Sequence, residues 1–273
     1  MQTKILTGAA LAGAFALGAI VVAYSSAQQS TSSTQPVSAA LETSFSNTQE
    51  DDIRNIVRDY LLANPEVIIE AVNEYSARQQ AQEATRQVDA AKGNLAKLLD
   101  PSGGFVTGKD PKNAKVAVIE LYDYHCGFCK RALPLVNEIT SSDEDVMMVF
   151  RELPILREES DIAAEYSLAA REQGKFMAFH NAMMEASGTL DETRIHSIAK
   201  TAGLDVDKLK NDRGDAGIPA AITTTHEIAQ SIGVTGTPTF IVATTDGAFV
   251  EVIQGFRADD LVAKIEEAKE VAG

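Results

Sequence analysis

The chain has two cysteines in 273 residues, and both stand in one tetrapeptide, Cys126-Gly127-Phe128-Cys129. Just ahead lies Lys115–Tyr122 (KVAVIELY), β-branched and nearly all apolar, the pattern of a buried central strand. Cys126–Ile139 then has helical character, so the cysteines fall where a strand turns into a helix. So short a loop removes little unfolded-state entropy, and a secreted disulfide scaffold would carry more cysteines, more widely spread. The pair is therefore chemical rather than structural. Thiolate is the reactive form of cysteine, and a helix N-terminus favours negative charge. Cys126 is expected to be the exposed, low-pKa nucleophile. Cys129, one turn on and at disulfide reach, is expected to be the shielded resolving thiol. His125 and Lys130 flank the pair and would add positive potential; the alternative for His125 is a side chain pointing to solvent. Structural zinc would need four ligands, and only three stand here. Haem attachment needs His after the second cysteine, where Lys130 stands.

Lys and Arg number 24 against 39 Asp and Glu, a formal charge of −15, which sets aside nucleic acid as a main partner. Lys4 precedes an apolar, charge-free run, Ile5–Tyr24, and Ser25-Ser26-Ala27 offers small residues for cleavage. Residues 1–27 read as a secretory signal peptide, with a retained membrane anchor as the alternative. Either reading places the rest of the chain outside the cytoplasm.

Residues 28–48, dominated by Ser, Thr and Gln, read as a flexible linker. Residues 49–99 read as helical. Ile53, Ile56, Val57, Tyr60 and Leu61 repeat at helical spacing, and Asn64-Pro65-Glu66 restarts a second helix toward Lys92. That helix is thinly apolar beyond Ser76 and needs a partner: the main domain, or the same segment of another protomer. Residues 100–113 read as a loop. After the helix at Cys126 come a strand at Val146–Phe150 and a helical block at about 155–232. Helices are expected near Asp161–Gln173, Lys175–Ala186, Asp191–Ala202 and Pro219–Ile232. Strands at Thr239–Thr244 and Ala248–Gln254, joined by Asp246-Gly247, and a helix at Ala258–Val271 complete the order. His180 lies at helical spacing in an apolar stretch and reads as packing. So do Met147, Met148, Met177, Met183 and Met184. His196 and His226 carry no partner signal.

With this pattern in view, residues 114–273 resemble the DsbA class of the thioredoxin superfamily. Gly236-Thr237-Pro238 resembles the family's cis-proline loop, Pro134 the proline of its active-site helix, and Glu120 its acidic residue under the active site. Phe150–Pro154 (FRELP) and Lys175–His180 (KFMAFH) also resemble DsbA-like stretches. The resemblance implies an α/β thioredoxin fold, with a helical insertion between β-α-β and β-β-α halves and an N-terminal helical segment. It makes Cys126 and Cys129 a redox-active disulfide with no other cofactor. It makes Gly236, Thr237, Pro238, Gly127 and Phe128 the surface that meets substrate. A buried Glu120 would have a raised pKa and exchange a proton with Cys129; the alternative is a partly solvated carboxylate at the strand's end. Asp51–Arg54 and Leu61–Ile68 resemble the N-terminal region of ScsC/Com1-like proteins, which implies oligomerisation through residues 49–99.

The family chemistry is thiolate attack, a mixed disulfide, and resolution by a second thiol. Gly127-Phe128 resembles the Gly-Tyr pair of disulfide isomerases more than the Pro-His pair of oxidising DsbA, and Thr237 resembles isomerase-type relatives. The expectation is a periplasmic disulfide isomerase or reductase. It would act on unfolded or misoxidised exported proteins and be served by a membrane redox partner of DsbB or DsbD/ScsB type. A DsbA-like oxidase, a Cu(I)-binding protein of copper tolerance and a non-catalytic chaperone are the alternatives.

Overall fold

The computed structural model describes residues 45–273. The expected leader and residues 28–44 of the expected linker lie outside them. The chain divides into two compact units at Asn64/Pro65.

In the first unit, α1 spans Asn47–Ala63. It starts inside the expected linker because Ser46 builds a capping box. The Gln49 N–H donates to the Ser46 hydroxyl at 3.4 Å, and the Ser46 N–H donates to the Gln49 side chain at 2.9 Å. No residue of α1 is buried, and Ile53, Ile56, Val57, Tyr60 and Leu62 are exposed.

In the second unit, α2 runs over Glu66–Gly93. Its first half exposes Ile68, Ile69, Val72 and Tyr75, and its last turns bury Ala91. The short α3 (Leu95–Leu98) adds Leu95 and Leu98 to the same core. The helical N-terminal segment thus belongs in part to the second unit.

A turn of 3-10 helix at Pro101–Gly103 leads to strand β1, Phe105–Gly108. This strand corrects the expectation of a loop over 100–113. It is four residues long and half-buried throughout, so it shows no alternation of apolar and polar residues. Next come β2 (Val116–Tyr122), α4 (Gly127–Ser142), β3 (Val146–Glu152), α5 (Glu158–Ala169), α6 (Phe176–Glu185) and α7 (Glu192–Thr201). Then follow α8 (Val206–Asp212), α9 (Gly217–Ile232), β4 (Thr239–Thr244), β5 (Val250–Gln254) and α10 (Ala258–Ala272). The seven-residue α8 is a further helix of the block, too short to show a helical period in the sequence.

The sheet order is β1-β3-β2-β4-β5, with β2 and β3 parallel and the other neighbours antiparallel. The three central strands are buried on both faces, as their continuous apolar runs require. Val118, Tyr122, Met148 and Phe150 face the core shared with α4, α5, α6 and α10. Ala117, Ile119, Leu121 and Val149 face the core shared with α2, α3 and α9.

Candidate active site

β2 delivers the site. Its last turnward residues carry Glu120, 2% exposed, and the chain then turns through Asp123 and Tyr124 into Cys126, the N-cap of α4. The Cys129 N–H donates to the Cys126 sulfur at 3.4 Å, and the Cys126 thiol donates to the Thr237 carbonyl at 3.0 Å. The peptide bond Thr237–Pro238 is cis. The cis-proline loop therefore lies directly against the first cysteine. Both cysteines are free thiols and both are buried, so Cys126, 5% exposed against the Thr237 carbonyl, is not the exposed residue that the sequence led us to expect.

The two sulfurs differ sharply. The Cys126 thiol is pulled down to about 5, first by the hydrogen bond from Cys129, with help from the Thr237 side chain and the backbone N–H groups of Cys129 and Phe128, against burial. Burial pushes the Cys129 thiol far above the ordinary range, and charge on Cys126 or Glu120 pushes it further. Burial likewise raises the Glu120 carboxyl to about 8, with the neighbouring Cys126 charge adding to it. Glu120 is thus buried, not a solvated strand-end carboxylate.

Family comparisons agree with this geometry. The DSBA-like thioredoxin domain family matches residues 117–266, more than half of the chain. This chain belongs to the DsbA-like thioredoxin family. The N-terminal domain of the copper resistance protein ScsC matches residues 49–82. A thioredoxin-like oxidoreductase from Silicibacter pomeroyi DSS-3 is similar at 38% identity and TM-score 0.56, over 63% of this chain and 94% of its own. BcfH of Salmonella enterica Typhimurium is similar at 27% identity and TM-score 0.69, over 81% of this chain and 96% of its own. Na(+)/H(+) antiporter NhaA 1 of Salinispora arenicola is 31% identical over 146 residues, which are 53% of this chain and 22% of the antiporter. The chain spans about a quarter of the length of the curated relatives it matches. Among the described residues no helix is long and apolar enough to cross a membrane.

In this DsbA-like domain the residues flanking the cysteines are committed elsewhere. The Leu190 N–H donates to His125 Nε2 at 3.0 Å, so Nδ1 carries the ring proton and donates to the Ser160 hydroxyl at 2.9 Å. That hydroxyl donates to Asp123 at 2.8 Å. The His125 side chain is 2% exposed, and burial lowers its pKa. It neither points to solvent nor brings charge to Cys126. Lys130 turns to the C-terminal end of α6, donating to the carbonyls of Met184 at 2.9 Å and Ala186 at 2.7 Å. It serves that helix end rather than the thiolate.

Phe128 and Gly127 stand at the surface, Phe128 54% exposed with the Arg131 guanidinium 3.9 Å from its ring centre. Gly236 accepts a hydrogen bond from the Thr239 hydroxyl at 2.9 Å, which braces the loop. The Thr237 hydroxyl is buried and has no partner among the described residues in the dithiol state.

Sequence reasoning missed the groups behind the cysteines. The Asp123 carboxylate accepts from the N–H groups of His125 (2.7 Å), Ile155 (3.0 Å) and Leu156 (3.0 Å) and from Ser160. It fastens the start of the helical insertion to the active-site turn. Tyr122, Tyr124, Ser167, His180 and Glu152 form a buried network. The Tyr122 hydroxyl donates to Glu152, and the Tyr124 hydroxyl meets Ser167 at 2.6 Å and His180 Nδ1 at 2.9 Å. Burial drops the His180 imidazole to about 3, so it is neutral. The available signal was polar residues at alternate positions, 122 and 124, beside an acid at 152 on the parallel neighbour strand. Among the described residues no group of three or more His, Cys, Asp or Glu side chains is arranged to hold a metal.

Proposed function

We propose that this protein is an exported thiol–disulfide oxidoreductase that reduces or rearranges disulfides of other exported proteins. The observation that carries this reading is the asymmetry of the pair: Cys126 at about 5 against the cis-proline loop, Cys129 buried and held protonated. At neutral pH Cys126 is a thiolate. It attacks one sulfur of a client disulfide, that S–S bond breaks, and the other client sulfur leaves as a thiolate. The mixed disulfide is resolved in one of two ways. A second client thiol displaces Cys126, which completes an isomerisation. Otherwise Cys129 gives its proton to Glu120 and attacks the Cys126 sulfur, which releases the client reduced and leaves a Cys126–Cys129 disulfide. Glu120, at about 8, suits that exchange because it changes protonation near working pH. The unpartnered Thr237 hydroxyl has an acceptor once Cys126 is ionised.

The client surface consists of Phe128, Gly127, the cis-proline loop and the exposed Ile155 and Leu156 held by Asp123. A groove of about 380 Å³ continues it, walled by Leu153, Ile155, His226, Gln230, Val234 and Thr235. An extended client segment would pair with the loop's backbone and lay its side chains there. The isomerase or reductase direction rests on Gly127-Phe128 and Thr237. It requires a membrane redox partner of DsbD/ScsB type to keep the pair reduced in the periplasm. Exposed apolar residues on α1, and separately on the first half of α2, support self-association through this region.

Reactivation of scrambled ribonuclease by the full chain, with Cys126→Ser as blank, tests the reading. Recovery that needs Cys126 supports isomerisation. No recovery together with rapid oxidation of reduced ribonuclease would make the protein a DsbA-like oxidase served by a DsbB-type partner. Inertness in both assays, with Cu(I) bound stoichiometrically and lost in Cys129→Ser, would replace redox catalysis with copper handling.

A further inference from the structure

Arg131 is an exposed cation on the first turns of α4. Its guanidinium carbon stands 3.9 Å from the centre of the Phe128 ring. Among the described residues that ring is its partner: it makes no ion pair, and none of its N–H groups donates a hydrogen bond. The positions three and four residues away along α4 are Gly127, Phe128, Pro134 and Leu135, so the helix offers it no acid. Elsewhere exposed helical cations do find that partner. Arg78 pairs with Glu74 at 2.7 Å, Lys208 with Asp212 at 2.7 Å and Lys264 with Glu267 at 2.8 Å. In a chain of 39 acids and 24 cations, acids are plentiful enough that an arginine held by an aromatic ring alone needs a reason.

Its place supplies one. Phe128 stands between the two cysteines and is exposed, so the ring and its guanidinium sit at the surface where a client meets Cys126. Lys130, next to it in the chain, is turned away to the carbonyls of Met184 and Ala186. Arg157 is answered by Glu159, since their charges act on His125 in opposite directions. Arg131 remains at this surface as a cation without a carboxylate. Contact with the ring limits the side-chain freedom that Arg131 must give up on pairing. Its planar fork matches the two oxygens of one carboxylate.

We propose that Arg131, held by Phe128, is a specificity-determining residue that pairs with an Asp or Glu carboxylate beside the client's disulfide. The inference rests on the thiol–disulfide reading above and names the class of client it favours: segments that are acidic next to their cysteines. The chain's charge of −15 repels such segments at long range, so the preference comes from the local pair and not from the overall field.

The experiment uses acetylated, amidated peptide disulfides with Glu, Gln or Lys on both sides of the cysteine. The full chain in its dithiol form reduces each, and acid-quenched samples give the second-order rate. Each rate is divided by that of the same peptide with mercaptoethanol, which removes the peptide's own reactivity. The expected result is a preference of about 2–5-fold for Glu over Gln, with Lys slowest. Sodium chloride at about 0.5 M should bring the ratio close to one. Arg131→Gln should erase the preference, and Arg131→Glu should turn it toward Lys. Phe128→Ala should lower it with the net charge unchanged. Lys112→Gln removes a charge ahead of β2, at the end away from the cysteines, and should keep the wild-type ratio. An equal fall in Lys112→Gln would assign the effect to net charge and overturns the proposal. So does an Arg131→Gln variant that keeps the preference. Reduction of all three peptides at equal normalised rates overturns it too, and leaves the redox reading standing. No reduction of any peptide removes that reading and this one with it.

Discussion

Glu120 and Glu152 are both buried carboxyls, each 2% exposed, on adjacent parallel strands and on the same side of the sheet. Burial raises both, yet their surroundings differ. Glu152 is gripped by the Tyr122 hydroxyl, within a network that includes Ser167, Tyr124 and His180. Glu120 accepts no side-chain hydrogen bond among the described residues, and what it senses is the charge of Cys126. A carboxyl held by hydrogen bonds from its neighbours keeps those neighbours in place. A carboxyl with free lone pairs beside a thiol can change protonation without breaking a network. Asp123 extends the contrast, as a buried carboxylate with four donors that joins two segments.

Substitutions sharpen this contrast in a graded order. Asp123→Ala orphans four donors, one buried and three part-buried, and should cost about 3–5 kcal/mol, seen as a large fall in Tm. A variant as stable as the wild type would mean the insertion is held by other contacts. Glu120→Gln should slow release of a mixed disulfide by about 10–100-fold, read by single-turnover quench, while Cys126 alkylation stays fast. Glu152→Gln should do the reverse, costing about 1–2 kcal/mol in urea unfolding with resolution unchanged. Equal kinetic effects from the two would erase the distinction. Thr237→Val should raise the pH midpoint of Cys126 alkylation by about 1 pH unit and leave stability nearly unchanged.

The same groups predict opposing pH dependences of the dithiol form. The folded carboxyl of Glu120 is raised from 4.5 to about 8, so folding binds a proton. Its stabilising contribution is complete below 4.5 and is lost as pH rises to about 8. The folded thiol of Cys126 is lowered from 9.0 to about 5, so its contribution is present above 9 and lost as pH falls through about 5. The wild type should therefore show a shallow profile from pH 5 to 8. Glu120→Gln should gain stability over it as pH rises, and Cys126→Ser should lose stability relative to it. Parallel Tm profiles for all three proteins would contradict this account.

What the sequence revealed about the site was carried by contiguous residues. The run into Cys126, the CGFC spacing, Glu120 six residues earlier and Thr237-Pro238 before an apolar strand are each local patterns. β2 to β5 and α4 were legible for the same reason, since their burial imposes a period or an unbroken apolar run. The misread side chains have distant partners. His125 is set by Ser160 and Leu190, 35 and 65 residues on, and Lys130 by carbonyls 53 to 56 residues away. Nothing beside either residue announces them. Arg151 entered the sequence reading only as part of Phe150–Pro154, and only the fold places it beneath a glycine turn. β1 fell below notice because an edge strand of four half-buried residues leaves almost no periodic trace.

The helix α2 has a mechanical consequence. It is one unbroken rod of 28 residues, about 42 Å long at the usual rise. It is clamped at its far end, where Ala91 is buried and Arg86 approaches the turn at Gly233. A force applied near Pro65 therefore acts as on a beam fixed at one end. The moment it exerts falls on α9 and β5, against which the clamped end packs. α9 runs on through Gly233 to the loop that ends in Thr237-Pro238. A pull on the tip of the rod would thus be felt as torque beside the thiol, along a stretch that Gln254 ties to β5 at Gly233 and Thr235.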